Sequence, residues 1–155
     1  MEELNNLTKY QKDIKRLVEQ GHDLVYGLYN ELQDDIGDAF RKLPKEHKEA
    51  IRKCTFKDKY NEWYNESLSV VKQLMPERLE DFVNYYKRPK RKEFSYETYT
   101  ISDYLIGMVK KNHLGEIIVS STSVITKFAQ QLNIVKSKVI IFFSASNLKS
   151  ASVTA

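Results

Sequence analysis

Two arginine–histidine pairs carry the residue types for acid–base chemistry on a phosphate ester. Arg16 precedes His22, and Arg41 precedes His47, with five residues between the members of each pair. Histidine can move a proton near neutral pH, and arginine can hold a phosphate through its planar fork of donors. Such a pair could act on RNA if both side chains met at one point. Gly21 interrupts the first pair and Pro44 the second, so neither spans a clean helical stretch. Surface charge and polar packing are therefore the simpler roles for all four residues. His113 and the single cysteine, Cys54, complete no zinc-spaced set, and neither metal nor other cofactor is expected. A nucleophile triad cannot be assembled from one cysteine and scattered serines, and neither a glycine-rich phosphate loop nor a Gly-x-Ser-x-Gly elbow occurs. The balance is against an enzyme.

The basic run from Lys87 to Lys92 is a different kind of candidate. Lys87, Arg88, Lys90, Arg91 and Lys92 place five cations in six residues, flanked by Tyr85, Tyr86, Tyr96 and Tyr99. Lysines and arginines could neutralise the phosphates of RNA or DNA, and the tyrosines could stack on bases. The plainer reading is a solvated loop between helices, with tyrosines sealing a core edge and their hydroxyls in water. Charge is uneven along the chain, at −3 over residues 1–50, +3 over 51–100 and +4 over 101–155. That imbalance is mild for a nucleic-acid binder.

The elements that would position these residues are helical. Leu4, Leu7, Ile14, Val18, Val25, Leu28 and Leu32 share a 3-4-3-4 frame with Gln11, Gly21 and Asp35. The frame predicts one long helix, or a helical hairpin bent near Gly21, with a stripe suited to core packing or to dimerisation. Residues 34–46 read as a break, followed by a short helix over about 45–53. Phe56, Tyr60, Trp63, Val70 and Leu74, with Tyr64, Leu68, Val71 and Met75 beside them, predict an amphipathic helix capped by Thr55 and stopped by Pro76. Pro76 then opens a helix carrying Leu79, Phe82, Val83 and Tyr86. Phe56, Tyr60, Trp63, Tyr64, Leu68, Val71, Leu74, Leu79 and Phe82 form the expected core.

Residues 93–99 alternate like a short extended arm. Thr100 to Asp103 has the form of a capping box opening a helix to about Asn112, and 116–135 has helical spacing again. Val139–Phe143 suits a strand, and 144–155 loses all pattern. We thus expect a single helical domain over 1–138 and an irregular tail over 139–155, as in a truncated product. The fold class expected is all-α, a multi-helix bundle. Without a disulfide, a signal peptide or an apolar run near a membrane span of ~20 residues, the chain is expected to be cytoplasmic, with no membrane partner.

Four segments, Phe56–Tyr64, Val71–Leu79, Lys90–Glu93 and Tyr99–Leu105, resemble in sequence and order a group of bacterial proteins that join an N-terminal helical region to a C-terminal HEPN-like domain. They lie between about Phe56 and Gly107, a span of about a third of the chain, and residues 117–136 are similar to the family's continuation. The Arg–His spacing is similar to that of HEPN-type ribonucleases. The resemblance implies a helical, bacterial, cytoplasmic module linked to defence or RNA metabolism, with Tyr60, Trp63 and Tyr64 in its core. It supplies no catalytic residue, because the family's Arg/His site belongs to the C-terminal domain. The expected function is a non-catalytic interaction or sensing module that docks a protein partner, or dimerises, through the stripe of the first helix. RNA or DNA binding by the basic run is the first alternative, and ribonuclease action by the Arg–His pairs the second.

Overall fold

A computed structural model describes residues 2–153, the side chains of 3–5, 7 and 140–153 excepted. Eight helices occur among the described residues: α1 (Glu2–Glu31), α2 (Gln33–Ile36), α3 (Asp38–Arg41), α4 (Lys45–Arg52), α5 (Tyr60–Leu74), α6 (Leu79–Tyr86), α7 (Ile101–Leu105) and α8 (Ser123–Val153). The one sheet is a two-stranded antiparallel hairpin, β1 (Lys110–Lys111) and β2 (Ile117–Val119). The fold is all-α.

The first helix is continuous, with no bend at Gly21. Its buried face runs Ile14, Leu17, Gly21, Leu24, Leu28, the 3-4-3-4 spacing of one helical stripe. This stripe is rotated from the expected one. Leu17 and Leu24 lie at its centre, and Val18 and Val25 are half-buried at its edge. Leu4 and Leu7 fall outside the described side chains. The stripe packs chiefly on α8, and on α4 and α5, within the same chain. From Ile14 onward it is therefore interior surface, and dimerisation through it is excluded on steric grounds.

The core is built from rings. Phe56 stacks on Tyr60 at 4.9 Å, Trp63 meets Phe128 edge-on at 5.0 Å, and Tyr64 lies parallel to Phe82 at 5.6 Å. Each such pair adds roughly 0.5–1.5 kcal/mol beyond area burial. The polar ends are satisfied internally. Tyr60 Oη donates to Gln131 Oε1 at 2.8 Å, Gln131 Nε2 donates to the Phe82 carbonyl at 2.8 Å, and Trp63 Nε1 donates to the Leu17 carbonyl at 2.8 Å. Burial, aided by the neighbouring tyrosines and opposed by the Gln131 bond, raises the Tyr60 phenol well above its ordinary value, so it stays neutral. Phe56, Tyr60, Trp63, Tyr64, Val71 and Phe82 are buried, and Leu68, Leu74 and Leu79 pack against them partly exposed.

Four local expectations are corrected. The helix capped by Thr55 begins at Tyr60 instead, because the Glu31 carboxylate accepts the Phe56 and Lys57 N–H groups and holds 56–59 as a turn. The arm over 93–99 is no strand. Thr98 Oγ1 accepts from the Ser95 N–H at 2.9 Å and donates to the Glu93 carbonyl at 3.0 Å, which folds the segment on itself. The helix expected to reach Asn112 ends at Leu105, and Ile117 lies in a strand. Gly107 and Gly115, at φ 75° and 83°, turn the chain on either side of β1. Finally, the strand over 139–143 and the irregular tail are replaced by α8, whose backbone is helical to Val153. Extending a nucleated helix adds a hydrogen bond for each residue fixed, and neither glycine nor proline follows Gly115 to stop it. Thr154 and Ala155 lie outside the described residues.

Candidate functional site

The Arg–His pairs do not converge. Arg16 and His22 are six residues apart on α1, which at 3.6 residues per turn sets them on different sides of the helix. Arg16 is held by Glu66 at 2.7 Å and by Asp13 at 3.8 Å. Partial burial, with the Lys136 charge nearby, holds the His22 imidazole below its ordinary value. Arg41 pairs with Asp38 at 3.4 Å, while His47 is exposed on α4, and no hydrogen bond or ion pair joins them. No group of three metal-ligating side chains occurs among the described residues. No helix among them is long and apolar enough to cross a membrane.

The basic run divides into two parts. Arg91 is structural. Its side chain is 11% exposed, and Nη1 and Nη2 donate to Asp103 Oδ2 and Oδ1 at 2.8 and 2.9 Å. Nη1 also reaches the Thr98 carbonyl at 3.1 Å, and the guanidinium covers the Phe94 ring at 4.7 Å. Asp103 is fully buried and completes the capping box of α7, accepting from Thr100 N and Thr100 Oγ1 at 2.8 and 3.0 Å. Burial raises its carboxyl, but the hydrogen bonds from Arg91 and Thr100 outweigh burial and hold it below the usual carboxylate range. Arg88 adds a second guanidinium, with Nε 3.3 Å from Asp103 Oδ1, and stays half exposed. Lys87, Lys90 and Lys92 are exposed, and their side chains make no ion pair or hydrogen bond.

Lys87, Arg88 and Lys90 border an open cleft of about 770 Å³. It is lined by Asp81, Asn84 and Tyr85 of α6, by Lys87 to Lys90, by Glu97 to Thr100 and by Lys127 of α8. Lys127 Nζ donates to the Glu97 carbonyl at 2.9 Å, which holds it at the cleft. Pattern reading missed Lys127, because it sits among the core residues of α8 and only folding brings it to the same cleft as residues 87–90.

A second surface was also missed. Of seven large apolar side chains exposed on the described surface, five lie between Ile106 and Ile118: Ile106, Val109, Leu114, Ile117 and Ile118. The hairpin's base is anchored where Met108 N donates to the Asp103 carbonyl at 2.9 Å, Tyr99 Oη donates to the Met108 carbonyl at 3.0 Å, and Val119 is buried. Its tip is closed by Asn112, whose side-chain oxygen accepts from Leu114 N and Glu116 N at 2.9 Å each. Lys110 pairs with Val119 and Lys111 with Ile117, so Ile118 is the extra residue of a bulge, and Ile117 and Ile118 are both more than half exposed. Gly107, Asn112 and Gly115 were the sequence signals for this turn.

Compared with known proteins, the chain matches no family model, no curated protein and no solved structure.

Proposed function

We propose that this chain is a non-catalytic interaction module that docks a protein partner through the hairpin at 106–119. The supporting observation is the concentration of exposed aliphatic side chains there, on an element whose strands have free edges. Exposed apolar side chains concentrated on one element in this way are characteristic of an interaction site. The partner fitted by this chemistry is an extended segment with alternating apolar side chains and acidic flanks. It would pair with the free edge of β2, cover Ile117 or Ile118, and meet the charges of Lys110 and Lys111. An isolated two-stranded hairpin is marginally stable in water, so an added strand would stabilise it. The resemblance to bacterial HEPN-joined proteins fits a cytoplasmic module of this type, working beside a catalytic domain that supplies its own arginine and histidine.

The test is selection of random decapeptides on the immobilised chain, followed by titration of the selected peptides. Enriched sequences should alternate apolar and other residues and carry Asp or Glu. Ile117→Thr with Ile118→Thr should weaken them at least tenfold while leaving the melting temperature within a few degrees, because threonine keeps the β-branched shape and the positions are exposed. Equal binding to wild type and variant would overturn the proposal. So would sedimentation showing a dimer that the variant abolishes, since the occupant would then be a second copy.

A further inference from the structure

We infer that the cleft between residues 87–90 and Lys127 binds the phosphodiester backbone of single-stranded nucleic acid, a second site independent of the hairpin. The first argument is charge. Lys87, Arg88, Lys90 and Lys127 line the cleft against two carboxylates. Asp81 is engaged by Arg78 at 3.5 Å, and hydrogen bonds from its own backbone and from Ser95 stabilise the ionised Glu97. The single negative charge of Asp103 is shared by Arg91 and Arg88, which leaves one positive charge over. The side chains of Lys87 and Lys90 are uncommitted. The cleft is thus cationic, with charges contributed by both the 87–90 loop and α8.

The second argument concerns the kind of anion. A pocket for a small ligand is mostly apolar, nearly encloses its occupant and presents fixed polar groups for recognition. Here two of the cations are lysines on long stems in an exposed loop, together with half-exposed Arg88 and with Lys127 of α8. Point charges of this kind suit sequence-independent phosphate contacts. Tyr85 lines the cleft, and half-exposed Tyr96 stands beside Lys127, whose ammonium is 5.8 Å from its ring. Two rings next to a cationic groove are the elements of single-strand binding.

The experiment is a low-salt anisotropy titration of labelled oligo-U and oligo-dT with the purified chain, with unlabelled ATP as competitor. A combined Lys87→Ala, Lys90→Ala and Lys127→Ala variant is compared with Lys9→Ala, Lys12→Ala and Lys15→Ala, an equal charge change on exposed positions of α1. Binding should fall at least tenfold in the first variant and hardly change in the second. The slope of log affinity against log salt should drop by about 2, at about 0.7 for each single-strand phosphate released. No binding by the wild type overturns the inference. Equal losses in both variants also overturn it, since net charge alone would be responsible. Competition by ATP at the oligomer's own affinity would make the cleft a small-ligand site instead. The Ile117→Thr and Ile118→Thr variant should bind the oligomers like wild type, which keeps failure at either site distinguishable from failure at the other.

Discussion

Replacing Asp103 with alanine should cost about 3–5 kcal/mol of stability, the range for removing one partner of a buried pair. The side chain is fully buried, and four groups depend on it: the Arg91 and Arg88 guanidiniums, the Thr100 N–H and the Thr100 hydroxyl. Alanine leaves Arg91 charged, nearly enclosed and with only the Thr98 carbonyl as acceptor. Asp103→Asn keeps the shape and should cost less, but it sets an amide donor against arginine donors. The pH dependence follows from the direction of the shift. The folded carboxyl titrates below its unfolded value of about 3.9, so its contribution is complete above that value and fades as pH falls through the lower folded one. Urea unfolding at neutral pH, repeated at stepwise lower pH, should therefore show the gap between wild type and Asp103→Asn narrowing only in the acid range. A gap that is constant down to the lowest pH would assign the loss to shape rather than charge. Removing both partners, as Arg91→Leu with Asp103→Leu, should cost less than the sum of the single changes, because neither charge is then stranded.

This pair also marks how far sequence reading reaches. The capping box was visible, since Thr100 and Asp103 are adjacent in a pattern with a local mechanism. The basic run was equally visible, since charge is additive along a sequence. Their connection was not, because nothing in either pattern requires Arg91 to turn inward while Lys90 and Lys92 stay in solvent. The helices around the ring cluster were legible for the same reason as the box. Trp63, Tyr64, Val70 and Val71 repeat with the helical period, and Pro76 ends the repeat. The first helix was legible as a helix, but its inner face was misplaced by about one residue. Choosing Val18 and Val25 over Leu17 and Leu24 could not be avoided while both rows were apolar. The hairpin was lost because Ile117 extends the helical spacing of Val124, Ile125 and Phe128. Three turn residues, Gly107, Asn112 and Gly115, outweigh that spacing once the chain folds. Exposure itself has no sequence pattern, so a patch of aliphatic residues outside the core could only be recognised in three dimensions.

Alanine at Gly27 should destabilise the protein by about 1–3 kcal/mol, the usual cost of overpacking. In an ordinary exposed helix the same change stabilises by about 1 kcal/mol. The sign reverses because a Cβ at position 27 would lie 2.4 Å from the Thr55 carbonyl carbon, 2.6 Å from its oxygen and 2.7 Å from Phe56 N. These are backbone atoms, and they cannot rotate away. Four residues along the same helix, Glu31 binds the same Phe56 N–H at 2.6 Å and the Tyr104 hydroxyl at 2.8 Å. Any shift of α1 that relieves the clash lengthens these bonds, so α1 has no cheap direction in which to move. Gly21 provides the control. A Cβ there would lie 2.4 Å from Leu132 Cδ1, the mobile end of a side chain, and a rotamer change can absorb it. Gly21→Ala should therefore fall between neutral and slightly stabilising. Thermal melts of the two variants should separate clearly, since each kcal/mol is worth about 2–4 °C in a chain of this size. If Gly27→Ala melted no lower than Gly21→Ala, the turn at 55–57 would not be pressed against α1. Glu31 would then be a surface carboxylate and not the fastener that sets where α5 begins. If they separate as expected, the contact that forbids a side chain at Gly27 also explains why the helix opens at Tyr60 and not at Phe56.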